Sequence, residues 1–486
     1  MGSLSYICWV FCLVQIVTVS GRPDFATTFQ FPTTPSIRRY STDISSLFAS
    51  MDDGLDFMMS GAIANGDSQR EVLAVFAEYF GLNGRTVTDQ LQASAASTTS
   101  MGTTLTMVLL AYNDLVDYFN NHANAFLSDA AGNFGIFVAK EFYSGLVRLE
   151  TSLPKMRSAI EALNNSLQNA SSAADVPSDV LRTLVEALKL LKADLPLLVY
   201  SFQRIRDNLR TADEYMVFYN LDKDALSDDF EKLAIIFNID LSNFGTAVGN
   251  MYSSVEQTFN NTGARLDTDL TGTVQSQTNF MQLQTDLKSF TSDRSMFVRR
   301  LKDAVMLGAM GNRQSVLEKV RNTYYFSETF SLDAPAMQLA TQLIASKIFD
   351  VSCYNRYVEL VSDLPTLGRL RLSECLNTEQ PRLRRLRQMI ETYGTLVSYD
   401  VEDLWSHLKP CRSEFAEGGC LSEIAGHYTR LLAARNSNDA TRAGNFFTSA
   451  LTASLNRIEL CFTRTNVFTF QNLVPTLMRD IQRCVA

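Results

Sequence analysis

Two long runs of apolar residues at heptad spacing constrain the fold of this chain more than any other feature. In the first run, apolar side chains recur at steps of three and four residues, at Phe142, Leu146, Leu149, Leu153, Met156, Ile160, Leu163 and Leu167. The second run keeps these steps without interruption at Leu181, Leu184, Leu188, Leu191, Leu195, Leu198, Phe202, Ile205 and Leu209. Such steps place each run on one face of an α-helix. Because each face has to be buried against another helix, the sequence predicts two long, packed helices.

The segment between the two runs, QNASSAADVPSDV at 168–180, is short and polar, and Ser178 is a suitable N-cap for the second helix. We therefore predict an antiparallel helical hairpin with 168–180 as its exposed tip. Glycosylation sequons at Asn164 and Asn169 lie near this tip, and a third at Asn260 lies in another polar stretch. Sequons accept glycans on the surface of exported proteins, so all three are predicted glycosylation sites.

Each heptad run also contains a proline directly after a leucine, at Pro154 and Pro196, and the same arrangement recurs at Pro365. A proline inside a helix removes one hydrogen bond and bends the axis, so Pro154 and Pro196 would kink the hairpin at similar depth. The alternative is that the three prolines are independent helix boundaries. No Asn-Gly or Asp-Gly turn separates alternating apolar runs, so no strands are predicted and the fold class is all-α.

The beginning of the chain has the layout of a secretory signal peptide. An apolar run from Ile7 to Val19 is followed by the small residues Ser20 and Gly21 before the first charge. The run is shorter than the roughly 20 residues of a membrane-spanning helix. We therefore predict cleavage after 1–21 and a secreted, extracellular protein without a membrane span. Residues 22–40 hold three prolines and no helical periodicity, which indicates an extended arm.

The cysteines divide the remaining chain into two regions. Residues 41–335 contain no cysteine, and 336–486 contain the six that remain after the signal peptide: Cys353, Cys375, Cys411, Cys420, Cys461 and Cys484. An even number in an exported chain indicates three disulfides. There is no C-x-x-C pair and there are three histidines in all, so neither a metal site nor a cofactor is predicted. The domains are a cysteine-free helical region, 41–335, and a disulfide-clasped helical domain, 336–486.

The sequence offers little support for catalysis or for nucleic-acid binding. The formal net charge is −9 without a long basic stripe, which disfavours contact with phosphate backbones. The histidines, His122, His407 and His427, lie in no metalloprotease or serine-hydrolase motif. The segment 221–233 lacks the ligands of a calcium loop, and 307–315 lacks the Lys-Ser/Thr of a P-loop. We expect no enzyme, although carboxylate-only chemistry, as in a glycoside hydrolase, stays open.

One helical segment, PRLRRLRQMIETY, is both amphipathic and basic. Leu383, Leu386 and Ile390 recur at helical spacing among arginines, which continue upstream. Such a face could bind acidic glycans, lipid headgroups or an acidic protein partner, or the arginines could pair locally with Glu374, Glu379 and Glu391. The candidate binding residues are Arg369, Arg371, Arg382, Arg384, Arg385 and Arg387.

The C-terminal region, 340–486, resembles a known family. It begins SKIFDVSCYNRYVELVSDL and ends MRDIQRCVA, and its cysteines have the spacings C-x21-C, C-x8-C and C-x22-C. This is similar to the cysteine-rich helical domain of the TsetseEP family, exported insect proteins of the gut and haemolymph. One middle cysteine of the family pattern is missing, and the middle pair is wider. The resemblance implies a gut or immune-responsive secreted protein, and the family has no established enzymatic activity.

Six cysteines allow fifteen pairings. We expect the local ones, 353–375, 411–420 and 461–484, with a turn near 365–368. The predicted function is that of a secreted, non-enzymatic binding or interaction protein of insect gut, haemolymph or saliva, with a protein or glycan partner. Its heptad faces also fit a homodimer. The alternatives are a carrier of apolar ligands within the helical bundle and a secreted hydrolase.

Overall fold

The structure is a computed structural model that describes residues 24–27, 30–97, 101–269, 275–276, 278–288, 333–345, 347, 349–412, 419–434 and 440–485. The predicted signal peptide, 1–21, and the segment 307–315 lie outside these residues. The helices are α1 (Thr34–Asp52), α2 (Gly66–Ala95), α3 (Met101–Phe134), α4 (Ile136–Gln168), α5 (Ser178–Asp269), α6 (Asp333–Ala345), α7 (Asp350–Ser362), α8 (Leu364–Glu402), α9 (Leu404–Leu408), α10 (Gly419–Ala434), α11 (Ala440–Asn466) and α12 (Val474–Val485). The described residues also include a helical segment at 278–288, a π-helix at Val467–Leu473 and short 3-10 helices at Ala173–Asp175 and Lys409–Arg412. The described residues contain no strand, which confirms the all-α fold.

The predicted helical hairpin is formed by α4 and the first part of α5. All seventeen apolar residues of the two heptad runs are buried. The rings of Phe142 and Phe202 lie 4.7 Å apart, and a Cβ on Gly145 would lie 3.2 Å from that of Leu198. Residue numbers rise on one helix as they fall on the other, so the two helices are antiparallel. A short 3-10 turn, Ala173–Asp175, lies in the tip between them.

The three prolines have different roles. Pro154 and Pro196 lie inside α4 and α5, whereas Pro365 lies in the first turn of α8, where its missing N–H costs no helical hydrogen bond. In the register of the hairpin, Pro196 lies near Arg148 and not opposite Pro154. The prediction of kinks at similar depth is therefore wrong, because the two prolines lie at different levels of the hairpin.

The predicted extended arm, 22–40, is wrong in its last part, because α1 begins at Thr34. Pro35 stands at the start of this helix, where proline is well tolerated. Ile37, Ile44 and Phe48 are buried on one face of it. The helical spacing of these residues continues across the predicted boundary at residue 40. It was overlooked because the nearby prolines indicated an extended segment.

The described parts of Met1–Tyr219, Ala336–Glu359 and Asp480–Ala486 form one compact unit. Helices α1 to α4 pack in sequence, each against the next. The core of the unit is a cluster of phenylalanine rings whose closest pair, Phe76 and Phe126, stacks at 4.2 Å between ring centroids. Phe48, Phe80 and Phe202 belong to the same buried cluster.

The described parts of Asn220–Pro335 and Leu360–Arg479 form a second compact unit. Its core includes Phe259, Phe280, Val401, Leu408 and Tyr428. The division of the chain differs from the predicted boundary between 335 and 336, because 336–359 and 480–486 belong to the first unit. One contact there is buried: the side-chain amide of Asn208 donates to the carbonyl of Leu343 at 3.1 Å. Cysteine content alone could not reveal this packing.

The disulfides join Cys353 to Cys484, Cys375 to Cys461, and Cys411 to Cys420. Three disulfides and the 411–420 pair agree with the prediction. The local pairs 353–375 and 461–484 are wrong, because the chain does not fold back near 365–368. Only Asp363 separates α7 from α8, and α8 then continues to Glu402. Cys375 therefore lies on α8, beside α11 and its Cys461.

Among the described residues, no helix has both the length and the apolar character that a membrane span requires.

Candidate ligand-binding groove

The six candidate arginines lie on α8, but they do not form one free basic face. Arg371 stacks on the ring of Phe468, 4.6 Å from its centroid. Arg384 pairs with Asp240 at 3.5 Å, and Arg387 pairs with Glu391 at 3.5 Å. The Nε of Arg369 is buried. The remaining two, Arg382 and Arg385, line a groove in the second unit.

This groove lies between α8 and α11 and has a volume of about 450 Å³. Both helices contribute residues at steps of three or four, so each presents one face to it. The lining residues are Arg382, Leu383, Arg385, Leu386 and Met389 from α8, and Phe446, Ala450, Ser454 and Arg457 from α11. We call it the α8–α11 groove.

Contacts at both ends of the groove hold α8 and α11 in antiparallel register. The disulfide between Cys375 and Cys461 lies at one end. One turn along each helix, Glu379 of α8 binds Arg457 of α11. Beyond the groove, the rings of Tyr393 and Phe447 meet edge to face at 6.2 Å. The walls of the groove are therefore fixed by covalent, ionic and aromatic contacts.

The ionic contact centres on the carboxylate of Glu379, which is only 2% exposed. Arg457 binds it through two hydrogen bonds, from Nε to Oε1 at 2.8 Å and from Nη2 to Oε2 at 2.9 Å. The Ser454 hydroxyl donates to Oε2 at 2.8 Å, and Arg382 also donates to Oε1. These bonds satisfy a charge that would otherwise be costly to bury.

The same contacts determine the protonation of the pair. Burial by itself would raise the pKa of Glu379, but the hydrogen bonds from Arg457, Ser454 and Arg382 outweigh it and lower the pKa below its ordinary value of 4.5. The hydrogen bond to Glu379 in turn raises the pKa of Arg457. Both groups are therefore charged at neutral pH.

The groove carries an excess of positive charge beside apolar surface. Arg382, Arg385 and Arg457 line the groove, and the one carboxylate beside them, that of Glu379, binds Arg382 and Arg457. No carboxylate among the described residues pairs with Arg385. Leu383 and Leu386 are buried beneath it, whereas Met389 and Phe446 are 51% and 53% exposed. This arrangement is suited to binding an anionic group that is attached to an apolar body.

The local pairing considered for these arginines is correct in part. Glu379 and Glu391 bind Arg382 and Arg387 as expected. Glu374 makes no ion pair with a described residue. Sequence reasoning missed Arg457 and Phe446, although Phe446, Ala450, Ser454 and Arg457 recur at helical spacing, because nothing indicated that α11 packs against α8.

The histidines take part in aromatic contacts. His122 stacks on Tyr118 with the ring centroids 4.5 Å apart, and His427 meets Tyr428 edge to face. The Nδ1 of His407 lies within hydrogen-bond distance of the Tyr428 hydroxyl, at 2.7 Å. No group of acidic, histidine or cysteine side chains in the described part of the chain could hold a metal ion. The segment 221–233, considered as a calcium loop, is part of α5.

The predicted glycosylation sites lie at helical positions. Asn164 is partly exposed inside α4, and Asn169 is exposed at its C-terminal cap. Asn260 is exposed inside α5, so the polar stretch around it does not interrupt the helix. Its sequon threonine, Thr262, is buried, because the heptad-like packing of α5 continues through this stretch. Glycosylation at all three sites stays a prediction.

Comparisons with protein-family models, curated proteins and solved structures found no match to this chain. The resemblance of the C-terminal region to the TsetseEP family therefore stays a prediction.

Proposed function

We propose that the protein is a secreted, non-enzymatic binding protein of an extracellular fluid and that the α8–α11 groove is its binding site. The observation that carries this proposal is the position of Arg385, a cation without a carboxylate partner among the described residues, next to the apolar side chains of Met389 and Phe446. The partner is therefore expected to be acidic. Insect gut, haemolymph or saliva would be the setting if the TsetseEP resemblance is correct.

Secretion is supported by the disulfides. Three cross-links involving all six cysteines of 336–486 are typical of proteins that fold in an oxidising compartment. The signal-like sequence at 1–21 agrees with this, although it lies outside the described residues. A protein of this kind would meet its ligand outside the cell.

A carrier of apolar ligands is the second candidate function, and the apolar floor of the groove favours it. From the sequence, the ligand of such a carrier was expected inside the helical bundle. In the first unit, however, the heptad side chains are buried and the rings of Phe142 and Phe202 pack against each other between α4 and α5. We therefore propose the groove, and not the hairpin core, as the place where a ligand would bind. Homodimerisation stays a prediction, and it would need a surface other than these buried residues.

A hydrolase is the least supported candidate. A carboxyl group needs a raised pKa to act as a general acid near neutral pH, and as a general base it becomes weaker as its pKa falls. The pKa of Glu379 is lowered, and both of its oxygens accept hydrogen bonds from Arg457. It would therefore be a poor base for the hydroxyl of Ser454, which already donates to it.

Binding of the fluorescent anion 8-anilinonaphthalene-1-sulfonate (ANS) tests the proposed site. The full chain, secreted from eukaryotic cells with its disulfides formed, would be titrated at neutral pH. We expect Arg385→Gln to weaken binding about tenfold, since a charge-assisted hydrogen bond contributes about 1.5 kcal/mol or more. The matched control is Arg384→Gln, the adjacent arginine that pairs with Asp240. Equal affinity of the two variants would contradict the proposal.

A further inference from the structure

We infer that the natural ligand of the α8–α11 groove is a free, single-chain amphiphile with one anionic carboxylate head, such as a medium-chain fatty acid. The inference rests on the proposed binding function and names its ligand class. In this mode the head contacts Arg385 together with the neighbouring guanidinium groups. The chain lies against Leu386, Met389 and Phe446.

The head-group specificity follows from the guanidinium groups. A guanidinium presents parallel N–H donors that match the two oxygens of a carboxylate. The groove already contains one such pair, because Arg457 binds Glu379 through two hydrogen bonds. Arg382 donates to the same carboxylate, and Arg385, which pairs with no carboxylate in the described part of the chain, can bind a second one. The three guanidinium groups exceed the single carboxylate of Glu379 by two charges, so the groove attracts an added anion.

The length of the groove follows from the helix geometry. At about 1.5 Å per residue it extends about 10 Å along α8, from Arg382 to Met389, and about 16 Å along α11, from Arg457 to Phe446, while Arg385 lies about 6 Å from Met389 along α8. The volume of about 450 Å³ is within the range of small-molecule sites. A single alkyl chain with a polar head fits these dimensions.

The dimensions and charges disfavour larger occupants. A stable protein interface buries about 800 Å² on each partner, more than two or three helical turns of groove provide. An anionic membrane surface is bound by clusters of about four to eight basic residues. Here Arg371, Arg384 and Arg387 are engaged by Phe468, Asp240 and Glu391. A free amphiphile therefore fits best.

Isothermal titration of the full chain with dodecanoate, below its micelle concentration, tests the head group. Butyrate supplies the head without the chain, and dodecanol supplies the chain without the charge. We expect dodecanoate to bind with one site per chain and at least tenfold more tightly than either control ligand. Arg385→Gln should remove this preference over dodecanol, and Arg384→Gln should retain it.

Two pairs of matched variants test the apolar contacts. Met389→Gln is compared with Leu396→Gln, another α8 residue of similar exposure, 52%. Phe446→Gln is compared with Leu460→Gln, an exposed apolar residue of α11. We expect the two groove variants to weaken dodecanoate binding several-fold and the two controls to leave it unchanged.

The outcomes separate the ligand class from the site. If ANS binding depends on Arg385 but dodecanoate does not bind, the ligand class is wrong and the binding site stands. If neither ligand depends on Arg385, both proposals are wrong. Sedimentation with phosphatidylserine vesicles tests whether the groove binds a membrane surface instead. If the wild-type protein binds these vesicles but not free dodecanoate, and Arg385→Gln does not bind the vesicles, the ligand is a membrane surface and not a free amphiphile.

Discussion

At the scale of single residues, Glu379 determines how α8 and α11 meet. Its contact with Arg382, three residues along the same helix, is predictable from spacing. Its contact with Arg457 is not, because the two residues are 78 positions apart and many acidic and basic residues could have paired. The sequence identified the basic helix correctly, but it could not reveal that Arg385 lines the groove without pairing with a carboxylate of the described residues.

The lowered pKa of Glu379 predicts how stability depends on pH. Because the folded state holds this proton less tightly than the unfolded state, the ionised carboxylate stabilises the fold at pH values above about 4.5. This contribution is lost as the pH falls through the lower, folded-state pKa. We expect Glu379→Gln to reduce the free energy of unfolding by about 2 kcal/mol at pH 7, and the difference from wild type to shrink below pH 4.5.

Denaturant unfolding at pH 7, 5, 4 and 3 measures this difference. Glu391→Gln is the control, since its partner Arg387 and the carboxylate itself are both substantially exposed. It should leave stability nearly unchanged at every pH. A constant difference between Glu379→Gln and wild type from pH 7 to pH 3 would contradict the assigned pKa direction.

At the scale of helices, the sequence was most informative where one type of residue repeats. The heptad runs correctly predicted the buried faces of α4 and α5 and their antiparallel hairpin, because apolar periodicity reports burial directly. The start of α1 was missed, because Pro35 and its neighbours gave a stronger local signal than the spacing of Ile37 and Ile44. The close approach of α1 and α2 at Gly81 was missed as well, since a glycine inside a helical pattern does not indicate which residue it contacts.

The packing of α1 against α2 depends on this close approach. A Cβ on Gly81 would lie 2.9 Å from the carbonyl oxygen of Phe48, a backbone atom that cannot move independently. Overpacking of this kind costs about 1–3 kcal/mol. Since alanine favours helix by about 1 kcal/mol, we expect a net loss of up to about 2 kcal/mol for Gly81→Ala in thermal or denaturant unfolding.

Gly132→Ala in α3 is the matched control within the same unit, because no atom lies within 4 Å of its added Cβ. It should leave stability unchanged or raise it by up to about 1 kcal/mol. Equal effects of the two substitutions would show that α1 and α2 do not approach each other at Gly81.

At the scale of the whole molecule, the cysteine count correctly predicted three disulfides, and local spacing wrongly predicted two of the pairs. Cys353 pairs across 131 positions and Cys375 across 86. Spacing carries no information about such pairs, because they depend on which distant helices pack together. The same limitation explains why the compact units do not follow the boundary at 335.

The long-range pair Cys375–Cys461 should contribute to both stability and binding. In the chain-entropy model, closing a loop of this length contributes about 4–5 kcal/mol. We expect the double variant Cys375→Ala/Cys461→Ala to lose about this much in unfolding experiments. It should also bind dodecanoate more weakly, because the disulfide lies one turn from Glu379 and fixes the two walls of the groove.

The double variant Cys411→Ala/Cys420→Ala is the control, since its pair spans 9 positions and neither cysteine lines the groove. It should lose less than about 3 kcal/mol and keep its dodecanoate affinity. If both double variants retain full affinity, the disulfide does not position the groove.

The central claim is that α8 and α11 together bind an anionic amphiphile, and photoaffinity labelling tests it most directly. A medium-chain fatty acid with a diazirine near the end of its chain would be irradiated with the full, oxidised protein, and the labelled peptides would be identified by mass spectrometry. We predict labelling near Met389 on α8 and near Phe446 on α11, with competition by dodecanoate and loss in Arg385→Gln. Labelling that is confined to other helices, or that persists in Arg385→Gln, would contradict the claim.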